Sequence, residues 1–362
     1  MTELPDTLEA PRFIMPFSGQ PLPMFDMPRG QRRLQRLLDA CDNSQRLVIL
    51  THNDPDPDAL ASAWALQTVL SARLHITPGI VYGGMIGRAE NRALVANLEM
   101  HLTQVDKINW DDVDAIALID TQVGASNHVR PANLPVVAVF DHHPLRRGKR
   151  QARYRDVRPC YGATSTILTE YLVAAEIRPH SQLATALFYG IKTDTRGLAR
   201  DACDCDAWAY MVLLPLIDPK LLAKIEQARV PRSYFKAFND TLARTVLYDR
   251  VALASLGPME RPDMAAEMAD ILARLEGTDW VICWGRYQNQ VVMAVRTQLA
   301  EANAARMVRQ VVGEMGGTGG HAHMAGGRIP YGNDPERVEE ELRKRFLREL
   351  NVATATAQPL IT

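Results

Sequence analysis

The chain has 362 residues, with 41 Lys and Arg against 42 Asp and Glu and a formal net charge of -1. That balance excludes a global electrostatic drive toward nucleic acid or membrane, so any anion site must come from local clustering. A hydrophobic fraction of 47% and a charged fraction of 23% are those of an ordinary globular protein, and the length predicts about two domains.

Residues 1–29 are rich in proline and methionine and lack periodicity, so they read as an extended arm. They begin with acidic residues and hold no apolar segment, which argues against a signal peptide. The stretch "GQRRLQRLLDACDN" then has helical apolar spacing. Short apolar runs alternate with helical patterns from there on. "RLVIL", "GIVYGG", "DAIALID" and "PVVAVFD" are strand-like, while "ALASAWALQTVLSARL", "RAENRALVANLEMHL", "STILTEYLVAAEI" and "SQLATALFYGIKTDT" read as helices. This alternation predicts an α/β fold with a parallel sheet covered on both faces. The longest apolar run, "AWAYMVLLPLI", is about half of the ~20 residues a membrane span needs. A cytoplasmic protein is therefore expected. The segment "LIDPKLLAKIEQARVPRSYFKAFNDTLAR" is helical in spacing and interrupted by Pro219 and Pro231, and it reads as a linker.

Beyond it, "RVALASLG", "DWVICWGRYQ" and "QVVMAVRTQ" are strand-like. "EANAARMVRQVVGEM" and "PERVEEELRKRFLREL" are helical and flank the glycine-rich "GGTGGHAHMAGG". The expected organisation is an arm at 1–29, a first domain at 30–214, a helical linker at 215–245, a smaller α/β domain with a mixed sheet at 246–350, and a tail at 351–362. No internal repeat is evident.

Polar chemistry gathers at the ends of the apolar runs. His52, Asp54, Asp56 and Asp58 follow "RLVIL", and Asp120 ends "DAIALID". Asp141, His142 and His143 close "PVVAVFD", and Asp194 closes "LFYGIKTDT". Any one such acid reads as a helix cap worth ~1 kcal/mol. Parallel strands, however, bring their carboxyl ends to one edge of the sheet, where ligands bind. Several carboxylates sharing a cleft repel one another and resist desolvation. Divalent cations remove that cost, and an oxygen-rich set with imidazoles suits Mn²⁺, Mg²⁺, Fe²⁺ or Zn²⁺. Two metals about 3.5–4 Å apart would activate a water for in-line attack on phosphorus.

Other features are less specific. The glycine-rich segment offers backbone N–H groups that could hold a phosphate, with His321 and His323 alternating so that only one faces a cleft. Arg296, in "VVMAVRTQ", is either a surface cation or a bidentate phosphate contact. The basic run "LRRGKRQARYRDVR" is either a solvated loop or a steering surface for a polyanion. The five cysteines are scattered and odd in number, which fits a reducing compartment. The pair Cys203 and Cys205 in "CDCD" is weak ground for a soft-metal site.

Taken together, these motifs resemble the DHH superfamily of phosphoesterases with a C-terminal DHHA1 domain. "HNDPDPDA" (His52 to Ala59) resembles the first family motif, Asp120 the second, "DHHP" (Asp141 to Pro144) the third and "GIKTDT" with Asp194 the fourth. "GGTGGHAHMAGG" looks like the DHHA1 signature around its phosphate-binding histidine, which maps to His321. The resemblance spans roughly residues 30–350, and its order of motifs looks most like the short-oligonucleotide exonuclease and pAp-phosphatase branch.

The resemblance implies that His52, Asp56 and Asp120 hold one metal. Asp58, Asp120, His142 and Asp194 would hold the other, with Asp120 bridging. Mn²⁺ is the implied ion, two per site, with Mg²⁺, Co²⁺ or Fe²⁺ as alternatives. His143 is implied as a phosphate contact or supporting donor, and Asp141 as the group that orients the histidines. Arg296, His321, Gly319 and Gly320 are implied as phosphate contacts from the second domain. Arg196, next to Asp194, is read either as a substrate contact or as half of an ion pair. Asp54 occupies a variable position and takes a capping or supporting role. Pro55 and Pro57 are expected to hold Asp54 and Asp56 extended, and Asp58 to begin the following helix.

The expected activity is hydrolysis of short oligonucleotides to 5′-mononucleotides, or of pAp to AMP. The rivals are a c-di-AMP or pApA phosphodiesterase and a nucleotide-binding module without catalysis; pyrophosphate or polyphosphate hydrolysis is a weaker third. A homodimer is compatible with the sequence, and no membrane partner is expected.

Overall fold

A computed structural model describes residues 25–145, 152–320 and 322–361. The described chain falls into two compact units. One takes in residues up to Ile86 and Glu90–Ala228, the other Gly87–Ala89 and the chain from Arg229 onward.

In the first unit, helix α1 (Met27–Cys41) precedes β1 (Leu47–Thr51), α2 (Pro57–Leu74), β2 (Gly79–Tyr82), α3 (Ala89–Asn97) and β3 (Leu102–Gln104). Then come β4 (Ala115–Ile119), β5 (Val136–Asp141), β6 (Ala152–Val157), α4 (Thr164–Ala174), α5 (Ser181–Asp194), α6 (Asp204–Leu213) and α7 (Pro219–Glu226). The six strands run in the order β3-β2-β1-β4-β5-β6, and every neighbouring pair is parallel. Strand order reverses between β1 and β4, and the carboxyl ends beside such a reversal form a crevice.

The apolar runs split by a period of two. Leu47, Ile49, Ala115, Ala117 and Ile119 face a core shared with α1, α2, α4, α5 and α6. Val48, Leu50, Ile116 and Leu118 face the other side, where Val105, Ile108, Trp110 and Leu134 from short turns and loops close over them. Both faces are thus covered, one by helices and one by irregular chain. Such burial explains why these strands read as continuous apolar runs rather than alternating ones.

Several helices start at an Asp–Pro step. Asp56 caps α2 with Pro57 in its first turn, and Asp218 caps α7 with Pro219. Proline has no N–H to lose there, and the aspartate accepts one that would otherwise lack a partner.

The second unit begins with α8 (Arg232–Arg244) and continues through β7 (Thr245–Tyr248), β8 (Val251–Pro258), α9 (Met264–Leu272), β9 (Trp280–Tyr287) and β10 (Gln290–Thr297). Helix α10 (Ala304–Val312), β11 (Gly317–Gly320), β12 (Met324–Pro330), α11 (Pro335–Glu349) and β13 (Ala357–Pro359) complete it. Its seven-stranded sheet has the order β11-β12-β10-β9-β8-β7-β13. It is mixed, since β8 and β9 pair parallel while the other neighbours are antiparallel. One face packs against α10 and α11, the other against α8 and α9.

The described part of the basic run corrects its reading as a solvated loop. Residues 152–157 form edge strand β6 rather than a loop. Arg158 is 7% exposed and grips Asp156 and Glu170, each at 2.6 Å. The cations at 146–150 lie outside the described residues.

Candidate metal centre

The site is built on the carboxyl ends of β1, β4 and β5 and on the starts or ends of three helices. Directly after β1, His52 turns its Nδ1 to the Asn53 carbonyl at 2.9 Å. A carbonyl only accepts, so Nδ1 carries the proton and Nε2 faces the carboxylates of Asp120 at 3.4 Å and Asp56 at 3.8 Å. His142 is arranged alike. Its Nδ1 lies 3.2 Å from the Tyr161 carbonyl, and its Nε2 faces Asp194 at 3.4 Å and Asp120 at 3.6 Å. His143 instead places Nδ1 against Asp141 at 2.8 Å and near Asp120 at 3.5 Å.

Asp56 is extended (φ -92°, ψ 178°) and caps α2 by accepting from Ala59 N at 3.0 Å. Asp58 lies inside the first turn of α2, so the helix begins at Pro57, behind its cap Asp56, and not, as expected, at Asp58. Asp54 also departs from expectation. Its φ of 56° is left-handed rather than extended, because its N–H donates to the Gly83 carbonyl at 3.0 Å while Oδ1 accepts from Met85 N at 2.9 Å. These two bonds outweigh the bias imposed by Pro55.

Asp58 is fully buried. Its two oxygens accept the Thr164 and Ser165 N–H groups at the start of α4, both at 2.7 Å. Thr164 Oγ1 donates to Asp120 Oδ1 at 2.9 Å. Asp120 follows β4 with a left-handed φ of 56°, and its N–H donates to the Phe140 carbonyl. A non-glycine residue held there marks strain of order 1–3 kcal/mol, which concentrates at functional sites. Asp194 is the last residue of α5, the helix expected over this stretch. Gly190, one turn earlier, makes this approach feasible. A Cβ there would lie 2.6 Å from Ser165 Oγ and 3.1 Å from the Asp58 backbone.

Among the described residues, three sets of side chains have ligand atoms within 4.8 Å of one another: His52, Asp56 and Asp120; Asp58, His142 and Asp194; and Asp120, His142 and His143. Asp120 belongs to two of them. Electrostatics in the metal-free chain reflect this crowding. Burial pushes Asp58 well above the usual carboxylate range, and neighbouring Asp194 and Asp120 add to it. Asp194 is raised to about 6, first by burial and then by Asp56. Burial opposes charge on the imidazoles, yet Asp120 and Asp56 hold His52 well above its usual range, and Asp194 and Asp120 raise His142 to about 9. Against its own burial, Asp120 is held well below the usual range by His143 and His52. Oxygen and imidazole donors in this proportion, with both Nε2 atoms aimed inward, suit divalent cations of the Mn²⁺ or Mg²⁺ kind. The residues present therefore fit such ions.

Sequence reasoning missed several residues that hold the site. Gln122 donates through Nε2 to Asp141 Oδ2 at 2.7 Å and to the Pro144 carbonyl at 3.1 Å. Arg155, on β6, donates to Gln122 Oε1 at 3.1 Å. Thr164 and Ser165 lie in a run of small polar residues before an apolar helix, a start signal that was available; Gln122 and Arg155 carry no such signal.

The residues expected to contact substrate are divided between the two units. Arg196 follows Asp194 as an exposed residue with φ 49°. In the second unit, Gly319 and Gly320 are on edge strand β11. Arg296, on β10, is 7% exposed and donates through Nε to Asp270 at 2.7 Å. His321 lies outside the described residues.

Two family profiles match the chain: the DHH family N-terminal domain over residues 46–191 and the DHHA1 domain over residues 245–351. The chain is 33% identical over 334 residues to an uncharacterized protein of Methanocaldococcus jannaschii, covering 89% of this chain and 68% of that one. It is 22% identical over 299 residues to an A-adding tRNA nucleotidyltransferase of Geobacter sulfurreducens, of which it spans 32%. Among solved structures, an exopolyphosphatase-related protein of Bacteroides fragilis shares the fold with a TM-score of 0.67 at 17% identity, covering 88% of this chain and 98% of that one. RecJ of Thermus thermophilus, solved in complex with Mn²⁺, shares it with a TM-score of 0.53 at 15% identity, covering 93% and 56%.

Proposed function

The chain belongs to the DHH family of metal-dependent phosphoesterases and carries a DHHA1 domain, and we propose that it hydrolyses short oligonucleotides to 5′-mononucleotides and pAp to AMP. The observation that carries the hydrolytic part is the convergence of His52, Asp56, Asp58, Asp120, His142 and Asp194, with ligand atoms within 4.8 Å in overlapping sets. We assign His52, Asp56 and Asp120 to one ion and Asp58, Asp120, His142 and Asp194 to the other, with Mn²⁺ as the preferred ion. Divalent cations bound there would acidify a water and neutralise charge on the phosphate.

The protein's own groups do the rest. The amides of Thr164 and Ser165 fix Asp58 so that its orientation is set before any ion arrives. Protons at Nδ1 of His52 and His142 are held on backbone carbonyls, leaving Nε2 as the donor atom on each ring. Asp141 takes the Nδ1 side of His143. With a ring 40% exposed, the Nε2 of His143 is the nitrogen proposed to meet a phosphate oxygen. On β11, pairing with β12 occupies one edge of a strand that is glycine at every position but Thr318. Backbone N–H groups on the other edge are proposed to take a phosphate of the nucleotide.

The test is a hydrolysis panel in Mn²⁺ over pApA, longer oligoribonucleotides, pAp and c-di-AMP, with product lengths read out and Asp120→Ala as control. Short oligonucleotides and pAp should give the highest kcat/KM. Preference for c-di-AMP would move the assignment to cyclic dinucleotides, and binding without turnover would make the protein a nucleotide-binding module.

A further inference from the structure

Helix α6 begins with the sequence Cys203-Asp204-Cys205-Asp206, which has no part in the metal centre. Cys203 is its extended N-cap residue (φ -125°, ψ 176°), and Cys205 stands in its first turn. Cys203 Sγ accepts from the Asp206 N–H at the start of the helix, and the two thiols are electrostatically coupled to each other. Both are partly exposed, and Cys205 lines a half-open cavity of about 280 Å³ in the first unit, walled by Phe25, Trp208, Tyr161, Arg29 and Arg33. Residues two apart at such a junction have Cα atoms roughly 5.5–6 Å apart, inside the ~4.4–6.8 Å window of disulfides.

We propose that Cys203 and Cys205 form a reversible dithiol–disulfide site, with Cys205 the attacking thiol, Cys203 the resolving thiol, and a low-molecular-weight disulfide entering through the cavity as the oxidant. In the first step the Cys205 thiolate attacks one sulfur of the disulfide RSSR. The bond from Cys205 Sγ to the RS sulfur forms, and RS⁻ leaves. Cys203 gives its proton to the departed RS⁻, and its sulfur attacks Cys205 Sγ, expelling the second RS⁻. Two protein sulfurs are oxidised to one disulfide, and RSSR is reduced to RSH and RS⁻.

The electrostatics divide the two roles the same way. Cys205 is lowered to about 7, chiefly by the neighbouring Cys203 thiol, and Cys203 is raised, chiefly by Cys205. Tyr161 contributes little, since its hydroxyl proton goes to Glu170 Oε1 at 2.7 Å. The amides at the start of α6 favour a thiolate as well. Burial takes Cys41 and Cys283 out of competition. Cys160 is exposed and serves as an internal comparator.

Two measurements on the reduced full chain test this. At pH 7 about half of Cys205 is ionised, against a few per cent of an ordinary thiol near 8.5, and lower intrinsic nucleophilicity offsets part of that gain. Iodoacetamide should therefore label Cys205 about threefold faster than Cys160, and Cys205→Ser should remove the fast phase. Oxidised glutathione should yield a chain lighter by two hydrogens, with Cys203 and Cys205 joined in one proteolytic fragment, and Cys160→Ser should leave that product unchanged. Labelling of Cys205 no faster than Cys160, arrest at the glutathione mixed disulfide, or pairing of Cys205 with Cys160 would each overturn the proposal. The mass measurement uses the unsubstituted chain and does not depend on any variant folding.

Discussion

Asp194 ends α5 with 20% of its side chain exposed, 3.4 Å from His142 Nε2. In the metal-free chain its pKa rises from 3.8 to about 6 through burial and the charge of Asp56. The folded state therefore holds its proton more tightly than the unfolded state does. Stability is unaffected by this group below about pH 4, falls as pH rises from 4 to 6, and stays reduced above. At ~1.4 kcal/mol per unit, a shift of about two units costs roughly 3 kcal/mol at pH 8. Asn has no charge to desolvate. Because Asp194→Asn also removes the anion that raises His142, it should stabilise the chelator-treated protein by less than about 3 kcal/mol at pH 8, or under roughly 6–12 °C in Tm for a unit of this size, and by almost nothing near pH 4. The assay is thermal or urea unfolding in EDTA across that range, repeated with Mn²⁺. The unsubstituted chain should gain about 2.7 kcal/mol at a hundredfold excess over Kd, and the variant much less. An Asn variant no more stable than the parent in EDTA at pH 8 would refute the view that these carboxylates are held together at a cost that cations relieve.

The other acids and their supports should separate in the same assays. Asp54→Ala should lower stability by about 1 kcal/mol through the lost bond to Met85 N and keep most turnover of a short oligonucleotide, whereas Asp56→Ala and Asp58→Ala should abolish it. Gln122→Ala should cut kcat about 10–100-fold with little change in KM, because Asp141 loses the donor that orients it; an equal loss from a mere fall in folded fraction would show as reduced active-site titre instead. Arg158→Met leaves Asp156 and Glu170 buried without their shared cation, so urea unfolding should show a loss of about 3–5 kcal/mol.

β3, three half-buried residues, leaves no apolar run, whereas β1, β2, β4 and β5 of the first sheet were legible because burial writes them as apolar runs such as "LVIL" and "AIALI". Strand β6 was not. Its sequence "ARYRDV" exposes Arg153 and Arg155 and buries Tyr154 and Asp156, and charge is what edge strands carry to avoid pairing with other chains. The glycine-rich segment hid β11 and β12 for a different reason. Glycine has low strand propensity, yet Gly320, at φ 139°, lies so close to its partner strand that a Cβ would stand 2.3 Å from the Met324 carbonyl. Close approach of two backbones, which no local propensity encodes, is what makes this hairpin. Arg296 shows the same limit in a side chain. Its sequence context exposes an arginine at a strand end, while its partner Asp270 comes from α9, a helix that no sequence pattern had singled out.

Capping and ligation are alternatives for each acid in the sequence, and at Asp56 and Asp58 the structure combines a helix start with the spacing that a metal ligand needs. Asp56 caps α2 and also faces His52. Asp58 receives the first amides of α4 and lies within ligand spacing of His142 and Asp194. Amides at a helix start carry partial positive charge, so two helix starts already offset some of the repulsion among these carboxylates in the absence of any ion. Such donors are fixed by the backbone and cannot relax away when an ion or substrate leaves. The acids of the cluster that lack them depend on their neighbours. Asp194 sits at the carboxyl end of α5, where the helix dipole opposes a negative charge, and its main compensation is His142. This asymmetry makes Asp58 the rigid member of its set and Asp194 the adjustable one. Loss of the cation should therefore be felt first at the end of α5.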